Sequence, residues 1–303
     1  MTQRLALFLP IALFISCGSN NGPNETISSQ SEEFSQYWNQ GQAEISTFKL
    51  SQARYGETHK GTAVLVFVTE DFSKQKQVKL DYPISNENDR APVLKLNQTR
   101  KFNTGVYPYS MMTSVFTPTN DKIRQSSLKI TTTSQEWCGH TFTQLNLRKN
   151  GYEVNLYSYF ESEGDQNFSL GADLLEDELW NLIRINPDLI PQGEIKITPS
   201  TIHQRLRHND LKSEKATLKI IPTGNNLNTL HLKYATYDRE LKIDFNSTFP
   251  FEIMAWKETY KSGFGPNAKS LTTYAELDKI IQLDYWSKNS IKDSVYRKML
   301  NLD

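Results

Sequence analysis

Polar and apolar positions alternate along most of this chain, and the alternation predicts strands. Residues 62–68 form a continuous β-branched and aromatic run between Gly61 and the polar Glu70 and Asp71. Val78, Leu80 and Tyr82 alternate with Lys79 and Asp81. Tyr152, Val154, Leu156, Ser158 and Phe160 share one face, with Glu153 and Asn155 on the other. Leu230, Leu232 and Tyr234 alternate with His231 and Lys233, and Leu241, Ile243 and Phe245 repeat the pattern. Leu271, Ala275, Leu277, Ile281, Leu283 and Tyr285 fall on the odd-numbered face of a long strand near the end. This is the pattern of a half-buried antiparallel sheet; a parallel sheet, covered on both faces, gives unbroken apolar runs.

Helical spacing is confined to a few places. Residues 176–185 carry acidic side chains in the first turn and an apolar face of Leu175, Leu179, Leu182 and Ile183, with Pro187 and Pro191 ending the element. Ser290 opens a short C-terminal helix, with Asp293 completing a variant capping box and Ile291, Val295 and Met299 as its stripe. Residues 34–38 read as a short docking turn. Residues 103–112 (NTGVYPYSMM) and 246–254 (NSTFPFEIM) share an Asn, then aromatic-Pro-aromatic, then a Met-containing strand. They suggest two related β units, roughly 43–165 and 190–286, each with a corner in which Pro108 or Pro250 sets the bend. The expected class is mainly β: antiparallel curved sheets or an open barrel, two β units joined by one helix, and a short C-terminal helix.

The first residues follow a different logic. Arg4 supplies a positive start, and residues 5–15 are apolar apart from Pro10, too short a run to span a bilayer as a helix but suited to a signal peptide. The sequence Leu13-Phe14-Ile15-Ser16-Cys17 resembles the lipobox of bacterial lipoproteins, although Phe14 stands where Leu is usual. The resemblance implies lipidation of Cys17, and Gly18 after it implies sorting to the outer membrane. Residues 18–33 (GSNNGPNETISSQSEE) have the composition of a flexible leash. The division is therefore 1–16 signal peptide, 17–33 tether, 34–170 N-terminal β unit, and 171–303 helix, C-terminal β unit and terminal helix.

Charge narrows the function classes. The 303 residues include 34 basic and 34 acidic side chains, for a net charge of zero and a pI near 7.0. That balance excludes a nucleic-acid binder driven by bulk electrostatics and leaves lipid, through Cys17, as the route to the membrane.

Trp38-Asn39-Gln40-Gly41, the segment Glu136-Trp137-Cys138-Gly139-His140 and Trp256-Lys257-Glu258 resemble segments of uncharacterised envelope lipoproteins from Bacteroidota. That group implies no activity. Some of its members are labelled Maf septum-formation inhibitors, nucleotide pyrophosphatases whose Ser-x-Ser-x-Arg-Arg loop is absent from this sequence.

Candidate chemistry centres on Cys138 and His140. Once Cys17 is acylated, Cys138 is the remaining thiol of the two cysteines, so it has no intramolecular disulfide partner. On a strand, Cys138 and His140 share a face, as a thiolate–imidazole nucleophile requires. No third group orients His140, so the expectation is structural: a buried cysteine packing as a small hydrophobe, with Gly139 marking a bulge. A zinc site borrowing His203 and His208 fails because their spacing suits neither a strand nor a helix face. Glu161, Glu163, Asp165 and Asn167 alternate like calcium ligands, but Gln166 and Ala172 replace the required Gly and Glu, leaving a solvated acidic turn between a strand and a helix. His203, Arg205 and Arg207 would form one cationic face of a strand opposite Ile202 and Leu206, suited to a lipid headgroup, a lipopolysaccharide phosphate or an acidic glycan. No metal site and no cofactor is expected. The leading expectation is a lipid-anchored, non-enzymatic envelope component that binds a hydrophobic or amphipathic ligand or a partner envelope protein. Its rivals are a Cys138/His140-dependent enzyme and a purely structural surface lipoprotein.

Overall fold

The computed structural model describes residues 30–83 and 87–302. The segments expected to be a signal peptide and a tether, with Cys17, lie outside the described residues as far as residue 29. The first described element is α1 (Glu32–Trp38), capped by Ser31 and held down by buried Phe34 and Trp38, so the docking turn read at 34–38 is a two-turn helix.

Eight strands follow as consecutive hairpins: β1 (Ala43–Arg54), β2 (Glu57–Ser73), β3 (Arg90–Thr104), β4 (Tyr107–Pro118), β5 (Lys129–Glu136), β6 (Gly139–Arg148), β7 (Gly151–Ser158) and β8 (Gln166–Leu170). After β9 (Leu174–Leu175) come α2 (Leu179–Ile185), β10 (Gly193–Thr198) and α3 (Thr201–Arg207). Then β11 (Glu214–Gly224), β12 (Leu227–Tyr234), β13 (Arg239–Asn246), β14 (Ile253–Ser262) and β15 (Lys269–Leu283) form a second meander, and α4 (Val295–Met299) ends the chain. All fifteen strands belong to one sheet, ordered β8 through β1 and then β15 through β9. Every pairing is antiparallel except β9 with β10. The sheet is open and curved. Its two outermost strands, β8 and β9, are separated in sequence only by residues 171–173, a link that spans at most about 14 Å. The sheet must therefore curl until its ends nearly meet.

Alternation produced this. Ala63, Leu65 and Phe67 of β2, Leu230, Leu232 and Tyr234 of β12, and Leu241, Ile243 and Phe245 of β13 all enter the main core. The concave side is filled rather than hollow. All seven residues of α2 are buried there, as are Phe34 and Trp38 of α1 and Ile202 and Leu206 of α3. The sequence suggested one apolar face for α2, but burial on every side required its polar residues to find partners. Asn181 donates to the Leu94 carbonyl at 2.9 Å and to Thr117 Oγ1 at 2.9 Å, and Arg184 forms a two-pronged pair with Glu44.

Four local expectations fail for identifiable reasons. Residues 78–82 form no strand: a single antiparallel bridge, Lys79 with Phe72, ties the segment to β2, and Val78 and Tyr82 are exposed. The long odd-numbered face of β15 is split by a bulge, because Thr47 faces Lys279 while Phe48 faces Leu277 and Asp278 is left over. Ala275 and Leu277 therefore join the main core, whereas Ile281 and Leu283 turn to the convex side with Ile45, Val64 and Val66. That convex cluster decides the fate of the C-terminal helix. Tyr296, Leu300 and Leu302 pack on it, and the stripe of Ile291, Val295 and Met299 faces solvent instead. Finally, the two Pro-containing segments differ. Gly105, at φ +59°, turns the β3–β4 hairpin and Pro108 lies within β4, while Pro250 sits in the loop between β13 and β14 after a cis bond. No described helix is long and apolar enough to cross a membrane.

Candidate functional site

Antiparallel connectivity gathers alternate turns at each end of the sheet. One end collects the β1–β2 turn at Tyr55 and Gly56, the β3–β4 turn at Gly105 and Val106, and the β5–β6 turn at Trp137 and Cys138. Residues 159–165, the end of α3, residues 235–238 and residues 263–268 lie at the same end. Turns at such positions normally carry small polar residues. Here they carry Tyr55 (41% exposed), Val106 (83%), Trp137 (71%), Tyr159 (77%) and Phe264 (50%).

The rings touch in one continuous series. Trp137 stacks on Tyr107 (centroids 6.3 Å apart), and Tyr107 donates to the Tyr55 hydroxyl at 3.1 Å. Tyr55 meets Phe264 at 6.4 Å, and Phe264 meets His208 at 6.0 Å. His208 meets Phe160 edge-on at 5.1 Å, and Phe160 meets Tyr159 at 6.1 Å. Arginines brace this rim from beneath. The buried Arg54 lies 4.2 Å from the Tyr55 ring centre, donates to the Tyr109 hydroxyl at 3.2 Å, and also bonds the Leu206 carbonyl. Arg205 covers Phe160 at 4.5 Å and pairs with Glu136 at 3.2 Å. Gly139 completes the packing, since a Cβ there would stand 2.5 Å from the Phe160 ring.

The electrostatics are those of a shared hydroxyl cluster. Burial alone would raise the Tyr55 phenol, but bonds with Tyr107 and Tyr109 and the Arg54 charge carry it below its ordinary value of 10.0. Burial and the bond to Tyr55 push Tyr107 up to about 12. Burial and the Arg205 charge lower His208 and favour its neutral ring, although the bond to Glu163 acts in the opposite direction.

The residues singled out in the sequence are placed differently from expectation. Cys138 is exposed in a turn rather than buried on a strand, and its backbone N–H donates to Glu136 Oε2 at 2.6 Å. His140, the second residue of β6, is also exposed, and among the described residues no hydrogen bond joins it to Cys138. The thiol–imidazole pair therefore lacks both the shared strand face and an orienting partner. His203, Arg205 and Arg207 are on α3, not on a strand, because Ser200 caps a helix whose Ile202 and Leu206 point one turn apart into the core. His203 and Arg205 are buried and Arg205 is already paired, so the cationic row on which anion binding was expected does not form. The acidic turn at 161–165 joins two strands, β7 and β8, rather than a strand and a helix, and Glu163 is bound to Ser158 and His208. Among the described residues, no group of three or more His, Cys, Asp or Glu side chains converges as metal ligands would.

Sequence reasoning passed over Tyr55, Tyr107, Trp137 and Phe264 because aromatic residues in a β protein are usually core. Their signal was the glycine beside or near them (Gly56, Gly105, Gly139 and Gly263), which placed large rings at turns.

Among solved structures, the chain is similar to a beta-barrel-like protein of a domain of unknown function, DUF1849, from Brucella abortus. The two share 9% identity at a TM-score of 0.44, over 80% of this chain and 97% of that one. No family model and no curated protein matches the chain.

Proposed function

We propose that this is a lipid-anchored envelope protein, acylated at Cys17 and sorted to the outer membrane, that docks a partner envelope protein through its aromatic rim. The observation that carries the reading is the continuous ring series, exposed at hairpin tips and braced by buried arginines. Aromatic side chains and arginine are the residues that dominate binding energy at protein interfaces, and rings fixed in place lose little entropy on docking. The filled interior supports a docking component over a carrier that encloses a hydrophobic molecule.

The point at which the chain enters the body supports this. Ser31, where the leash enters the body, bonds Asp121, and Thr69 bonds the Trp38 carbonyl. Asp121 follows the end of β4 farthest from the rim, and Thr69 lies in the half of β2 farthest from it. Thr69 is twelve residues along β2 from Glu57, about 40 Å of strand. The chain therefore enters the body at the end of the sheet opposite the rim, which would turn the rim away from a membrane reached through Cys17.

The test is native electrophoresis of the full chain extracted from membranes in mild detergent. The expected result is a discrete complex that Trp137→Ser with Phe264→Ser dissolves to the free protein, while circular dichroism stays unchanged. A complex that survives both substitutions, or a stoichiometric lipid in place of a protein partner, overturns the reading.

A further inference from the structure

A second feature at the same end has no part in the rim. The C-terminal half of α3, residues 208–213, the start of β11 and the turn between β12 and β13 enclose a pocket of about 220 Å³. His203, Gln204, Asn209, Asp210, Glu214 and Tyr237 line it. His203 is only 4% exposed, and among the described residues its buried Nδ1 has no hydrogen-bond partner. Buried polar atoms in native folds are paired with protein, water or ligand, so an orphaned ring nitrogen at a pocket wall calls for a partner from within the pocket.

The lining defines that partner. We propose that the pocket binds a neutral polyhydroxylated ring of the size of one sugar unit. Volume sets the size, since about 220 Å³ corresponds to roughly seven water volumes.

The lining carries charge of both signs, Asp210 and Glu214 against Lys212, whose ammonium lies 3.7 Å from Glu214, and so suits a ligand without net charge. Burial, reinforced by Arg239, Arg207 and Arg100, keeps His203 neutral, with one donor and one acceptor nitrogen.

The remaining polar groups ask for hydroxyls. Carboxylates only accept, whereas the amides of Gln204 and Asn209 both donate and accept. A ligand matching all of them must offer several groups that do both. Tyr237 fixes the wall rather than offering a free face: its half-buried ring stacks on Tyr234 at 5.0 Å and on His203 at 6.3 Å, which holds the His203 ring in place.

The test is saturation-transfer NMR on the full chain with methyl glucoside, methyl galactoside and N-acetylglucosamine, against glucuronate and glucosamine as charged comparators. At least one neutral sugar is expected to receive saturation, with its Kd raised tenfold or more by Asp210→Ala. Asp210 is exposed, so this variant keeps the fold; His203→Phe, checked by circular dichroism, is expected to abolish the signal. No transfer to any neutral sugar, stronger transfer to a charged comparator, or unchanged affinity in Asp210→Ala overturns the proposal. Loss of rim docking leaves this result untouched, because none of the rim substitutions lines the pocket.

Discussion

Replacing Arg184 by alanine tests the idea that paired charges inside the sheet hold the plug helix in place. The guanidinium is 1% exposed. It pairs with both oxygens of Glu44, donates through Nε to the Pro250 carbonyl at 2.9 Å, and lies 4.9 Å from the ring centres of both Trp38 and Phe67. Without it, Glu44 keeps only the Tyr37 hydroxyl at 2.6 Å and a long bond from Ser46 at 3.3 Å. A buried carboxylate stripped of its cation costs about 3–5 kcal/mol. Two lost cation–π contacts add about 1–2 kcal/mol. For a chain this long the sum corresponds to a fall in Tm of roughly 10–20 °C. Differential scanning calorimetry reads it directly. Arg184→Met combined with Glu44→Gln is expected to recover more than half of the loss, because the second change removes the orphaned charge. A single-site loss below about 1 kcal/mol, or a double variant as unstable as the two single losses added together, would refute the reasoning.

The same pair sets a pH dependence. Burial alone would raise Glu44, but the Arg184 charge and its hydrogen bonds hold the carboxyl below the ordinary 4.5; Glu258, beside Arg100, behaves likewise. Their stabilisation is full above pH 4.5 and is lost as pH falls below it, and acid unfolding monitored by tryptophan fluorescence should lose part of its slope in the Glu44→Gln, Arg184→Met variant. Asp177, raised by burial, runs the opposite way: its contribution is present at acid pH and is lost as pH rises through its folded value. Gly139→Ala, which sets a methyl 2.5 Å from the Phe160 ring, should cost about 1–3 kcal/mol in urea unfolding, and a second change, Phe160→Ala, should make it harmless. Cys138, exposed in its turn, should take up one equivalent of maleimide in the native Cys17→Ser chain, and protection comparable to a buried thiol would contradict its placement. In alkaline titration at 295 nm, Tyr55→Phe should remove the first phenolate to appear, because Tyr55 alone of the three clustered phenols is lowered.

Regular alternation was legible wherever a strand has one core face. Residues 152–156, 230–234 and 241–245 lie where their patterns put them, since burial of every second residue leaves a local imprint. Bulges leave none. A single extra residue at Asp278 moved Ile281 and Leu283 to the opposite face, and that choice depends on pairing with β1, far away in sequence. The segment from Ile202 to Arg207 shows the complementary ambiguity: His203, Arg205 and Arg207 at every second position, opposite Ile202 and Leu206, fit a strand, but Ser200 capping and core contacts at Ile202 and Leu206 select a helix. The rim was hidden for another reason. Its residues are scattered over at least five turns, and only the antiparallel topology brings Tyr55, Trp137 and Phe264 to one end.

Photo-crosslinking in cells tests the central claim most directly. A benzophenone side chain placed at Trp137 on the rim is expected to yield one discrete crosslinked protein. The same probe at Asn225, in the β11–β12 turn at the opposite end, is expected to yield none. Equal crosslinking from both positions, or crosslinking to lipid alone at Trp137, would contradict the account.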